Sequence, residues 1–73
     1  MYIARFTITD EKTKQKVVKE SKPTQYKQAN EMIINYITKT KNVVNIEMLG
    51  NGNCIVYKNG GNIKCEIAKI VNG

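Results

Sequence analysis

Two clusters of turn residues, Gly50-Asn51-Gly52-Asn53 and Asn59-Gly60-Gly61, stand close together in the second half of the chain. Asn and Gly accept the positive φ angles that tight hairpins need, so each cluster is a strong reversal signal. The residues around them alternate apolar and polar, and this half therefore reads as a three-stranded antiparallel meander. A two-residue Asn59-Gly60 turn pairs Lys58 with Gly61, which sets Cys54 opposite Cys65 and Val56 opposite Ile63. The other turn is constrained by burial. A two-residue Asn51-Gly52 loop would pair Leu49 with Cys54 and point Val44, Ile46 and Met48 away from that apolar set. Since a slip of one residue inverts every side chain, the opposite parity is expected. That parity needs a three-residue Gly50-Asn51-Gly52 loop or a bulge, with Met48 beside Cys54.

The first half is organised differently. From Tyr2 to Thr9 the chain alternates, with Ala4, Phe6 and Ile8 on one face and Arg5, Thr7 and Thr9 on the other. Asp10 to Thr13 forms a polar hairpin loop, and Lys14 to Glu20 returns as a second strand, pairing Thr9 with Lys14 and Phe6 with Val17. Ser21-Lys22-Pro23-Thr24 is a helix-entry signal, because Pro is tolerated in a first helical turn and Ser or Thr can cap free backbone N–H groups. The spacing predicts one helix from about residue 24 to about residue 40, with an apolar stripe of Tyr26, Ala29, Ile33 and Ile37 flanked by Met32, Tyr36 and Ile34. The expected fold class is α+β, in the order ββαβββ, an antiparallel sheet with a single helix packed on one face. Its core face would collect Ala4, Phe6, Ile8, Val17, Val44, Ile46, Met48, Cys54, Val56, Ile63, Cys65 and Ile67.

A chain of 73 residues with no internal repeat or linker is one domain, spanning 1–73. The N-terminus MYIARFTITD lacks a charged leader followed by an apolar run, and no stretch approaches the roughly 18 apolar residues of a membrane span. The expected location is cytoplasmic, with no membrane contact and with Cys54 and Cys65 as reduced, buried thiols.

The side-chain inventory argues against catalysis. There is no His, Asp10 is the only Asp and Ser21 the only Ser, so no nucleophile and base can be paired. Two cysteines without His do not make a zinc site, and the glycine clusters neither lead into a helix nor carry a phosphate-loop lysine. The expectation is a protein that is not an enzyme and uses no cofactor or metal.

Net charge is +6, and it is uneven: residues 1–41 hold nine Lys or Arg against four Asp or Glu. Part of the lysine excess belongs to a general Lys, Asn and Ile bias, and solubility alone accounts for a lysine-rich surface. The remainder gives two functional expectations. The first is a small protein-binding module, of the kind a phage or mobile element uses to inhibit or modulate a host protein, acting through the outer sheet face or an exposed edge strand. A homodimer through either surface belongs to the same class. The second is a basic nucleic-acid-binding module that grips phosphates with lysines of the first hairpin and the helix. The candidate contact residues for nucleic acid or a partner are Arg5, Lys12, Lys14, Lys16, Tyr57 and Lys64, where an aromatic and flanking cations share the sheet's outer face.

Overall fold

The computed structural model describes residues 1–70. It contains strands β1 (Tyr2–Asp10) and β2 (Lys16–Glu20), helix α1 (Tyr26–Lys39), and strands β3 (Val43–Gly50), β4 (Asn53–Lys58) and β5 (Gly61–Lys69). The five strands form one antiparallel sheet in the order β2-β1-β5-β4-β3, with the helix on one face. The ββαβββ reading is therefore correct, and the sheet order adds what alternation could not give. β1 is central and pairs with β5, while β2 and β3 are the two edges.

The registers follow from burial and turn chemistry. Cys54 stands opposite Cys65 and Val56 opposite Ile63, as the Asn59-Gly60 turn requires. Met48 stands opposite Cys54, and the parity is set by a register shift between Met48 and Gly50, the bulge expected for that hairpin. The first hairpin differs from expectation by two residues. Thr9 pairs with Lys16, so Val17 lies opposite Ile8 and Phe6 lies opposite Lys19. The cause is local: the Asp10 carboxylate accepts from the Lys12 and Thr13 N–H groups, and Lys14 adopts φ 61°. This side-chain turn lengthens the loop, and it keeps Val17 on the expected face.

Helix entry also differs in detail. Ser21 does not cap the helix; its hydroxyl accepts from the Ala4 N–H at 2.9 Å. Thr24 pairs its backbone with Tyr2, and its hydroxyl donates to the Gln28 side chain in the first turn. Pro23 lies before the helix and not within it, since α1 begins at Tyr26.

The core lies between α1 and the middle of the sheet. Ala29 and Ile33 are buried against Ala4, Phe6, Cys54, Val56, Ile63 and Cys65, with Tyr2, Ile8, Tyr36, Ile37, Val43 and Ile67 packed around them. Phe6 stacks on Tyr36 with ring centroids 4.5 Å apart, and Tyr2 meets Tyr26 edge to face at 5.3 Å. The helix thus runs over β1 and β5, and it does not reach either edge strand. Four residues expected in the core are exposed as a result: Val17 and Ile46 lie beyond the helix, Met48 is 72% exposed, and Val44 is 67% exposed. Val44 has a further reason. A register shift between Val43 and Asn45 makes it a bulge residue, and Val43 takes the place against the core.

Candidate functional site

The outer face of the sheet, opposite α1, brings together some of the candidate residues and separates others. Arg5 is held by Glu20 through a 2.6 Å ion pair, and Glu66 stands opposite it on β5. The Glu20 hydrogen bond raises the Arg5 pKa still further above its ordinary value. Lys16 pairs across with Thr9, and Lys64 lies between Thr7 and Ile55. Glu47 stands opposite Ile55 on β3. Three cations, Arg5, Lys16 and Lys64, and three carboxylates, Glu20, Glu47 and Glu66, therefore share this face, and of these Arg5 and Glu20 form an ion pair.

Lys12 and Lys14 sit in the first hairpin loop and not on a strand, so they do not extend Lys16 into a stripe along β2. Lys14 and Tyr57 do come to the same end of the sheet. Together with Thr9, Glu11, Val44, Lys58, Gly61 and Asn62 they line an open recess of about 370 Å³ at the loop end of the sheet. A second recess, of about 380 Å³, lies where α1 ends and is lined by Tyr36, Lys39, Thr40, Lys41, Lys58 and Ile63. Three lysines border it, and no carboxylate is among its lining residues.

The unusual feature is the edge strand β3, Val-Val-Asn-Ile-Glu-Met-Leu-Gly. Every residue of it after Val43 is exposed. Val44, Ile46, Met48 and Leu49 are 67, 39, 72 and 47% exposed. Edge strands in soluble proteins are ordinarily guarded by lysine, proline or inward-pointing charge, because their unpaired backbone groups form a template for another chain. The other edge obeys this rule: β2 is Lys-Val-Val-Lys-Glu, with Lys16 and Lys19 framing its valines. β3 has no cation and no proline, and Glu47 is its single charge. No lysine or arginine occurs between Lys41 and Lys58.

The helix exposes an apolar side chain of its own on the side of the β3–β4 turn. A methyl group built on Gly52 would come within 3.1 Å of the Tyr26 hydroxyl and 3.4 Å of Asn30 Oδ1, so this flank of α1 faces the β3–β4 hairpin. Ile34, one turn beyond Asn30, lies on the same flank and is 52% exposed. Ile46 and Met48 are the helix-side residues of β3. Sequence reasoning placed these side chains in the core because they alternate correctly. The signal that marked them was the missing lysines in an otherwise lysine-rich chain.

The two cysteines are buried thiols, as their alternation implied. Burial pushes the Cys65 pKa up to about 12, with Cys54 adding to the rise, and burial raises Cys54 as well. Neither is poised as a nucleophile, which requires an accessible thiolate. Among the described residues no three His, Cys, Asp or Glu side chains gather into a group that would hold a metal ion, and no helix is long and apolar enough to cross a membrane. Comparison with protein-family models, curated proteins and solved structures finds no match.

Proposed function

We propose that this chain is a non-enzymatic protein-binding module that receives an extended segment of its partner on the free edge of β3. The observation that carries the reading is the cation-free, proline-free edge with four exposed apolar side chains. Backbone groups supply affinity in such pairing, and the side chains on either face supply selectivity. Ile46 and Met48 would select apolar residues at alternate positions of the incoming strand. Blocking the partner's own sheet edge is a route by which a short domain of this kind would inhibit or modulate it.

Selection of peptides from a random displayed library tests the reading. Enriched peptides are expected to alternate apolar and polar residues, to shift the β3 amides in NMR spectra, and to lose binding to Met48→Lys by tenfold or more. Peptides that bind Met48→Lys unchanged and leave the β3 amides undisturbed would refute it.

A second reading, nucleic-acid binding, draws on the recess beside Lys39, Lys41 and Lys58. The first-hairpin cations support it less, since Arg5 is paired with Glu20 and stands opposite Glu66, and the outer face that holds Lys16 and Lys64 also holds Glu47. If three phosphates seat there, duplex affinity would fall about fortyfold between about 50 and about 200 mM salt, and Lys39→Gln with Lys58→Gln would flatten that slope.

A further inference from the structure

An edge that accepts a strand meets a suitable one on every other copy of the chain. We propose that two copies pair antiparallel through β3 about a two-fold axis at Ile46, joining their sheets into one continuous sheet. The proposal rests on the strand-addition reading of β3 and names its occupant.

Symmetry restricts the register. Residues directly opposite in an antiparallel pair point to the same face, so a two-fold axis must pass through a residue and not between two. An axis at Glu47 would set two carboxylates opposite each other, which is destabilising. An axis at Asn45 would set Glu47 against Val43. With the axis at Ile46, Ile46 packs on its symmetry mate on the helix side. Asn45 then stands opposite Glu47 on the outer face, twice, with the amide donating to the carboxylate. The pattern from Val43 to Leu49 is apolar-apolar-polar-apolar-polar-apolar-apolar and reads the same in both directions from Ile46. Burial within one copy does not explain that symmetry, because every one of these residues after Val43 is exposed.

Charge points to the same seam. Every other strand carries Lys or Arg: Arg5 on β1, Lys16 and Lys19 on β2, Lys58 on β4, Lys64 and Lys69 on β5. A chain of charge +6 repels its copies, and β3 is the strand where they approach with no cation between them. The lysines of β2 guard the remaining edge, so the pairing closes at two copies and does not propagate into a filament. Register shifts at Val43/Asn45 and Met48/Gly50 confine the regular seam about Ile46 to Asn45–Glu47, since Met48 would face the bulge residue Val44. A seam this short belongs with weak, reversible interfaces, with a dissociation constant on the order of micromolar.

The test is sedimentation velocity on the whole chain from about 1 to about 500 µM, in low and high salt. A monomer–dimer equilibrium is expected that tightens as salt rises, because salt screens repulsion between the two bodies; phosphate binding has the opposite dependence. Ile46→Lys places two cations face to face at the axis and is expected to raise the dissociation constant at least tenfold. Val18→Lys, on the exposed β2 edge, is expected to leave it unchanged, and circular dichroism confirms the fold of both variants. A wild-type chain that stays monomeric throughout, or equal effects of the two substitutions, overturns the proposal. A peptide selected from the displayed library for alternating apolar residues then separates the two readings. If it binds the monomeric chain at the β3 amides, strand addition stands and self-pairing falls; if no selected peptide binds there, both fall.

Discussion

Replacing Gly61 by alanine probes a close approach between two backbones. A Cβ at this position would lie 2.1 Å from the Thr9 carbonyl oxygen and 3.2 Å from its carbon. An ordinary carbon–oxygen contact is about 3.3 Å, so the Thr9 peptide would have to retreat by about 1.2 Å. That displacement falls where Asp10 pairs with Gly61 and where the Glu11 N–H donates to the Gly60 oxygen at 2.8 Å. Overpacking costs about 1–3 kcal/mol and a loosened ladder bond about 1 kcal/mol more, while the stiffer unfolded chain returns about 0.4–1 kcal/mol. The expected loss is about 2–3 kcal/mol, a large part of the total stability of about 4–11 kcal/mol for a domain of this length. Gly60→Ala is the matched control. Gly60 has φ 92° and nothing within 4 Å of the added methyl, so only backbone strain of about 1 kcal/mol applies. In urea denaturation followed by circular dichroism, with a slope of about 1 kcal/mol per molar, the midpoint is expected to fall about 2–3 M for Gly61→Ala and about 1 M for the control. A Gly61→Ala midpoint at or above that of Gly60→Ala would refute the steric argument.

Phe6→Ala removes the ring stacked on Tyr36 and is expected to destabilise by about 3–5 kcal/mol, read from the same denaturation curves, whereas Val18→Ala, exposed on β2, should cost less than about 0.5 kcal/mol. Cys65 is neutral when folded and ionises once unfolded, so its contribution is intact below the ordinary thiol value of 9.0 and is lost as pH rises from there towards about 12. Cys65→Ala should therefore reduce the steepness of alkaline unfolding, and a thiol reagent at mildly alkaline pH should label the wild type only after denaturant is added. Asp10 shifts the other way: hydrogen bonds from the Thr13 and Lys12 N–H groups, the Thr13 bond being the larger cause, hold its carboxyl below 3.8. Its contribution is present above the unfolded value and is lost as pH falls through the folded one, and an NMR titration should place its midpoint under that of a model peptide.

The parity of the second half was legible because it rests on short-range chemistry. Asn-Gly turns fix which residues oppose which, and the apolar set around Cys54, Val56, Ile63 and Cys65 admits one phase of β3. The exposure of Val17, Ile46 and Met48 was not legible, for a physical reason. Alternation says which face a side chain occupies, whereas burial depends on what covers that face, and that is decided by strand order. With β1 and β5 in the middle, a single helix covers them and leaves both edges open. The candidate site was legible in part. Tyr57 and Lys14 do share a recess, and the outer-face positions of Arg5, Lys16 and Lys64 follow from period two. That Glu20 and Glu66 flank Arg5 required knowing which strands are adjacent. The first-hairpin loop was misjudged because nothing in its composition announces a lysine with positive φ, which the Asp10 turn imposes.

The pairing of β1 with β5, from Tyr2↔Lys69 to Asp10↔Gly61, joins the elements that lie farthest apart along the chain. Closing that seam is the most entropically demanding event in folding, since the whole intervening chain must be gathered before any of its ladder forms. The β3–β4–β5 meander is built from local turns and can assemble earlier, while Ala4 and Phe6 reach the core only when β1 docks between β2 and β5. The rate at which the native state appears should therefore follow substitutions along β1 and β5. Changes in the two meander turns, already formed when that seam closes, should also slow its appearance, whereas contacts completed only afterwards should govern how long that state survives.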